Sequence, residues 1–496
     1  MNFKSSFGKS TAWMSLAASG SSIVSFLIFI VLSRLLNPED IGLVAFALIF
    51  MELGKIIISS GFSQVIIQRR EWNSDFSSTC FYLNCAFAII VSLIVLFIVA
   101  PLAGIYFDEK AVPILQVFSV FFFFEGVKMV HEGKLKREFK FKVIALRTIL
   151  ASFIPGAIGI YFAFEGYGVW ALVIQQGLNQ MIITILTVFT ANWKPGFTFS
   201  KIFAKEILHF SLPLMCAHAI THFGSKLFEL LIALTIGPAA LGFYRVAGRA
   251  LYIVQDMVLK PFDHTALSLL SRVDGRAKQA NTVLRIIVVT GFLIMPIFWG
   301  IAAIAPVFIK LTFGDQWEPS GNLMMILAIG LTPLMIGIFV KAALTANKKS
   351  KMILNMAITS FLINCCLVLI FVPFGLVWAA IGFTFKNFLI NGLSLFWLRS
   401  VLGISVLKIP KLLLPSFTAS LIMYIAIQLM NPLINAHLSS IFTMVFLCLF
   451  GALVYIIIMF CIFKTSTHAA LCEVMDLTPQ KFKPYILSLK KFTRLY

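Results

Sequence analysis

Eight acidic or basic side chains fall well inside long apolar stretches of this chain: Glu52, Lys55, Lys226, Glu229, Arg245, Arg249, Asp256 and Lys386. An ionised group at membrane depth is costly unless a partner or water faces it, so each of the eight marks either packing or function. Arg245, Arg249, Tyr252 and Asp256 are spaced i, i+4, i+7 and i+11, which at about 100° per residue confines them to one narrow helical stripe. On the preceding segment His218, His222, Ser225, Lys226 and Glu229 fall within an arc of about 100°. The connection GPAALG is short, so the two helices are antiparallel neighbours that meet at residues equidistant from the turn. Centred near Ala239, it sets Glu229 level with Arg249 and His222 level with Asp256.

The eight charges comprise five basic and three acidic groups, an excess that favours an anion. Arginine donates bidentate, charge-assisted hydrogen bonds to phosphate or carboxylate, and Lys226, Lys55 and Lys386 add point charges. Asn387 aligns with Asn179 across an internal repeat, and Gln175, Gln176 and Gln180 make the same segment polar. Amides both donate and accept, which suits sugar hydroxyls; interhelical hydrogen bonding is the equally weighted structural reading. Glu52 and Lys55, at i and i+3, are also placed to neutralise one another. The titratable candidates for proton or sodium coupling are Glu229, Asp256, Glu52, His218 and His222, since a His/Asp pair changes charge in the physiological range. The chain has no glycine-rich loop followed by Lys-Ser/Thr for direct nucleotide use, and no cofactor is expected.

These side chains must be positioned by membrane-spanning helices. Of 496 residues 60% are hydrophobic, 12% are charged and 51 are phenylalanine, a composition foreign to water-soluble globules. Apolar stretches long enough to cross about 30 Å of hydrocarbon follow one another closely. The expected fold is an all-α integral membrane protein with fourteen spans, near 11–34, 41–63, 79–103, 112–130, 143–164, 168–190, 209–236, 239–261, 284–309, 321–343, 351–373, 377–398, 410–430 and 438–463. The first runs apolar past any small-residue cleavage site and reads as a retained helix. Of the 40 lysines and arginines, 32 lie at the N-terminus, in or beside the even-numbered loops, or in the C-terminal tail, and the odd-numbered loops carry Arg34, Lys110 and Lys310. This asymmetry puts both termini in the cytoplasm. The net charge of +20 is thus a topology signal and implies no nucleic acid, while 131–142 and 481–496, basic and part aromatic, suit an anionic leaflet. Ser15, Ser19 and Ser22 give the first span a small-residue face for close helix packing. The eight cysteines show no disulfide or metal spacing.

The chain also repeats itself. LLNPEDIGLVAF at 35–46 returns as TIGPAALGFYRV at 235–246, APLAGIYFD at 100–108 as APVFIKLTFGD at 305–315, and GYGVWAL at 166–172 as FGLVWAA at 374–380. The offsets grow in order, 200, 205 and 208, as a duplication with small insertions requires. Spans one to six therefore correspond to seven to twelve, two parallel six-helix repeats related by an axis along the membrane normal. The expected divisions are 1–205, 206–400, two further helices in 401–463 and a basic tail, 464–496.

FIVLSRLLNPEDIGLVAFALIF, FSQVIIQRREWNSDFSSTCFYLN, KLKREFKFKVIALRTI and ANWKPGFTFS give the chain its family likeness. It resembles the multidrug/oligosaccharidyl-lipid/polysaccharide exporter superfamily, and within it the Wzx-type polysaccharide flippases of the colanic acid exporter branch. That resemblance covers nearly the whole chain and implies two six-helix lobes in a V, two further helices and transfer of an undecaprenyl-diphosphate-linked oligosaccharide to the outer leaflet. It implies a bacterial inner-membrane location and a lipid tail lodged beside spans thirteen and fourteen, in contact with membrane lipids, while the basic segments 131–142 and 481–496 are equally suited to recruit other polysaccharide-assembly membrane proteins. The alternatives are a drug or cation antiporter of the same superfamily, which a net-positive cavity disfavours, and a membrane glycan polymerase or ligase, which short odd-numbered loops disfavour. A non-transporting scaffold would not need the charge stripes.

Overall fold

The computed structural model describes residues 20–69, 71–435, 440–464 and 467–468, and every regular element among them is a helix. The helices are α1 (Gly20–Leu35), α2 (Pro38–Ser59), α3 (Phe62–Gln68), α4 (Ser74–Ile94), α5 (Ala100–Tyr106), α6 (Ala111–Arg137), α7 (Phe141–Phe164), α8 (Val169–Ala191), α9 (Lys201–Ile236), α10 (Pro238–Leu270), α11 (Arg276–Phe313), α12 (Glu318–Leu331), α13 (Leu334–Ala346), α14 (Ser350–Phe371), α15 (Leu376–Leu402), α16 (Lys408–Asn435) and α17 (Ser440–Cys461). Each of the fourteen apolar stretches is occupied by one or two of them. Twelve spans among the described residues are long and apolar enough to cross a membrane. α10 is not among them, because the stripe of Arg245, Arg249 and Asp256 lowers its apolarity. α1, Gly20–Leu35, counts as a shorter apolar helix. Ser15, Ser19, Cys472 and the segment 481–496 lie outside the described residues; the seven described cysteines are free.

Local chemistry sets the helix ends. Pro38 opens α2 with Glu39 and Asp40 in its first turn, where a fixed φ and negative charge suit the unpaired N–H groups. The Asn73 side chain accepts from the Phe76 N–H at 2.9 Å to start α4, and Ser200 caps α9 likewise. At the far end of α9 a single residue, Gly237 at φ 111°, reverses the chain into α10. Ahead of Pro101, α4 widens into a π-helical turn over Val95–Val99, as a helix does where a carbonyl loses its donor.

Two compact units divide between Arg245 and Val246. In the first, α6 is central and packs on α2, α3, α4 and α8, while α2 also contacts α9. Phe62, Ile66, Phe76, Met129, Val130 and Ile207 form an apolar core there. α9, which opens the second copy in the sequence, packs against α2, α3 and α4. In the second unit α11 packs on α12, α16 and α17, and α15 on α12 and α14. The appended α16 and α17 join its core through Ala419, Met423, Ile427, Leu447 and Tyr455, gathered around Trp299. Outward faces carry Phe97, Phe189, Leu369, Leu429 and Leu449 largely exposed, a surface suited to hydrocarbon. The chain is a multi-pass membrane protein.

Candidate functional site

Arg245, the first member of the α10 stripe, meets the α9 stripe within the first unit, one turn away from the expected register. Arg245 donates through Nη1 to Glu229 Oε2 at 2.6 Å and through Nη2 to Glu52 Oε1 at 3.3 Å. Lys226 Nζ bridges the same two carboxylates, 3.0 Å from Glu229 Oε1 and 3.1 Å from Glu52 Oε2. His222 Nε2 stands 3.4 Å from Glu52 Oε2. Three helices build this cluster: α2 gives Glu52, α9 gives His222, Lys226 and Glu229, and the start of α10 gives Arg245.

Within the first unit the basic partner of Glu229 on α10 is Arg245, one turn before the expected Arg249. The hairpin reverses at Gly237 and not near Ala239, so the residue eight positions before the turn, Glu229, faces the one eight positions after it, Arg245. Asp256 instead pairs with Lys260 on its own helix at 2.6 Å, with both side chains more than half exposed. Arg249 is partly buried and Tyr252 exposed, both in the second unit. Glu52 makes its ion pairs with Arg245 and Lys226, and it is also among the charged neighbours of Lys55.

The cluster is also balanced. Glu52 and Glu229 offset Lys226 and Arg245, so the net of +2 counted over all eight groups is not concentrated here. Its carboxylates differ in accessibility: the Glu229 side chain is 5% exposed and that of Glu52 35%. Glu229 is the fixed anchor, and Glu52 is the partner that solvent or a ligand can reach. His218 lies one helical turn from His222, its Nδ1 hydrogen-bonded to Ser60 Oγ at 3.1 Å.

Two of the amides make interhelical hydrogen bonds. Asn179 donates to the Ala151 carbonyl of α7 at 2.6 Å, and Asn387 to the Gly330 carbonyl of α12 at 3.0 Å. Lys386 lies 4.2 Å over the Phe383 ring in the second unit.

A second buried network was missed from the sequence. Glu125 Oε2 accepts from Lys128 Nζ at 2.8 Å and Gln180 Nε2 at 2.7 Å, with Glu125 and Lys128 both buried. Lys55 has Glu125 and Lys128 among its charged neighbours. One turn further, Glu132 pairs with Lys136 at 2.8 Å and with Arg147 at 3.2 Å, and Arg147 also bonds Thr187. The signal was present: 125, 128 and 132 follow the i, i+3, i+7 spacing of one helix face. Lys128 and Arg147 flank an even-numbered loop at the ends of their spans, where the charge asymmetry takes them as topology signal and hides the stripe.

Buried ion-pair networks inside an all-helical, lipid-facing scaffold define a polytopic integral membrane protein. Its fold is shared by the solved structure named Lipid II flippase MurJ in an inward closed conformation, at TM-score 0.74 and 16% identity over 90% of this chain and 97% of that one. The chain belongs to the polysaccharide biosynthesis protein family, whose model matches residues 31–322. It is 22% identical over 329 residues to the succinoglycan biosynthesis transport protein ExoT of Rhizobium meliloti, covering 66% of this chain and 67% of that protein. It is 24% identical over 329 residues to the teichuronic acid biosynthesis protein TuaB of Bacillus subtilis, covering 64% and 66%. The chain thus spans about two thirds of each of these relatives.

Proposed function

We propose that the protein carries an undecaprenyl-diphosphate-linked oligosaccharide, the repeat unit of an O-antigen or exopolysaccharide, across the bacterial inner membrane by alternating access. The observation that carries this reading is the buried cluster of Arg245 and Lys226 held by Glu52 and Glu229. A guanidinium and an ammonium ion in an apolar interior are donors for phosphate, and in the resting cluster two carboxylates occupy those donors. A diphosphate supplies the same acceptor geometry with more charge. It displaces Glu52, the exposed partner, while Glu229 keeps Arg245 oriented. The family supports the reading, as do the names of ExoT, a transport protein of succinoglycan biosynthesis, and of MurJ, a lipid II flippase.

Coupling to a proton or sodium gradient belongs to the same proposal. It falls to Glu52 and His222, because displacement of Glu52 from its cations changes its electrostatic surroundings most. Asp256 stays paired with Lys260, and His218 with Ser60. Both termini lie in the cytoplasm in this scheme, and other polysaccharide-assembly membrane proteins receive or supply the glycan. A drug or cation antiporter would need a carboxylate available to a cation, and both carboxylates of this cluster are already held by Lys226 and Arg245. The test is deletion followed by analysis of undecaprenyl-linked oligosaccharides under conditions where the glycan is made. The expected result is accumulation of intermediate in the cytoplasmic leaflet; an unchanged pool overturns the proposal.

A further inference from the structure

An apolar groove of about 240 Å³ opens in the first unit, lined by Phe46 and Phe50 of α2, Leu102 and Tyr106 of α5, and Leu230 and Leu234 of α9, with no polar surface. It is smaller than a site that encloses a whole small-molecule ligand, so its dimensions suit a segment of chain. Its walls are set: the Phe46 ring stacks on Phe107 with centroids 4.0 Å apart and meets Phe50 edge-on at 5.2 Å. Leu102 and Tyr106 are exposed, at 47% and 68%, so the groove is open on its outer side.

The groove and the charge cluster share a ridge. Lys226, Leu230 and Leu234 are spaced i, i+4 and i+8 on α9, hence on one helix face. At 1.5 Å per residue, Leu230 lies about 6 Å along the axis from Lys226 and Leu234 about 12 Å. On α2, Phe46 and Phe50 lie on the same side of Glu52, toward the 36–37 turn. From the cluster α2 and α9 lead to the turns at 36–37 and 237, and α5 ends at the turn 107–110, the side assigned to the outside by the lysine and arginine asymmetry. A cationic cluster ending in an apolar groove is complementary to an amphiphile with an anionic head and a hydrocarbon tail.

We propose that this groove holds the first isoprene units of the lipid diphosphate while Arg245 and Lys226 hold its phosphates. This rests on the flippase reading and deepens it, because the family resemblance points to a tail beside α16 and α17, in the other unit. The groove is a station in the outer half of the membrane, where a short stretch of tail accompanies the head group.

The test uses the full chain in nanodiscs, with two photoactivatable probes: a benzophenone-bearing polyprenyl diphosphate without sugar, and a benzophenone-bearing phosphatidylglycerol. Crosslinks are mapped by mass spectrometry. The polyprenyl probe is expected to label the 46–50, 99–106 and 230–234 segments. Its yield should fall at least tenfold in Leu102→Trp and in Leu230→Trp, and should resist a hundredfold excess of unlabelled phosphatidylglycerol. Leu102 faces outward, so its replacement tests the groove without burdening the interior. Labelling confined to α16 and α17, or equal labelling of the groove by the phosphatidylglycerol probe, overturns the proposal. Either outcome leaves the flippase reading to the deletion experiment, which does not depend on where the tail lies.

Discussion

Gly42 and Gly242 lie so close that a methyl group on either would overlap the other helix's opening proline: Gly42 meets the Pro238 carbonyl, and Gly242 meets the Pro38 carbonyl. The two pairs are related by the offset of 200 that the sequence shows between the turns before α2 and before α10. Both obstacles are backbone atoms, which cannot rotate away as a side chain can.

Alanine at either position therefore destabilises by at least the upper part of the range for overpacking, about 3 kcal/mol, and the two substitutions act alike. Thermal unfolding of purified protein in detergent reads this directly. Wild-type melting of Gly42→Ala would contradict the close approach. Gly237 offers a contrast, since nothing stands within 4 Å of its would-be side chain and only its φ of 111° requires glycine. Gly237→Ala should cost about 1–3 kcal/mol through backbone strain alone.

Glu229 and Glu52 hold the same two cations, yet their removal should differ. Breaking a buried pair leaves an uncompensated charge and costs about 3–5 kcal/mol, which applies to Glu229 at 5% side-chain exposure. Glu52 at 35% is screened by its surroundings, and its loss should cost about 1 kcal/mol. Chemical denaturation of Glu229→Ala and Glu52→Ala measures the order; a larger loss at Glu52 would refute the anchor assignment.

Glu125 and Lys128 test whether the second network is packing or function. Either single change to methionine strands a buried charge and should destabilise by about 3–5 kcal/mol, whereas the double change to methionine should come back near wild type. A double variant that melts normally and exports glycan fixes the pair as structural. One that melts normally and fails to export would give Glu125 a part in transport.

The apolar periodicity made nearly every helix legible, because a span of about 20 residues leaves few alternatives. The punctuation of α2 and α10 was legible too, since proline and glycine act locally. The pairing of charges was not. A hairpin centred near Ala239 sets Glu229 level with Arg249, whereas the turn at Gly237 sets it level with Arg245, and no local rule shows that a single glycine suffices to turn the chain. Glu52 reaches its partners across 174 and 193 positions, a relation that only helix packing creates. The amides of Asn179 and Asn387 fit sugar binding and helix packing equally by type, and only their carbonyl partners at 2.6 Å and 3.0 Å separate the two.

Arg245→Lys should be more harmful than its conserved charge implies. Arg245 uses two nitrogens of one rigid fork, one on Glu229 and one on Glu52, and an ammonium group on a flexible stem cannot span both. When the diphosphate replaces Glu52, the same fork must hold Glu229 with one arm and phosphate with the other. The expected result is protein that inserts and purifies normally but exports at least tenfold less glycan, read as cell-surface polysaccharide in the deletion strain carrying the variant. Asp256→Asn should export normally, because its partner Lys260 is an exposed neighbour on the same helix and such pairs contribute about 0.3–0.5 kcal/mol. Normal export by Arg245→Lys would remove the cluster from the substrate path, and loss of export in Asp256→Asn would move ion coupling from Glu52 to the second unit.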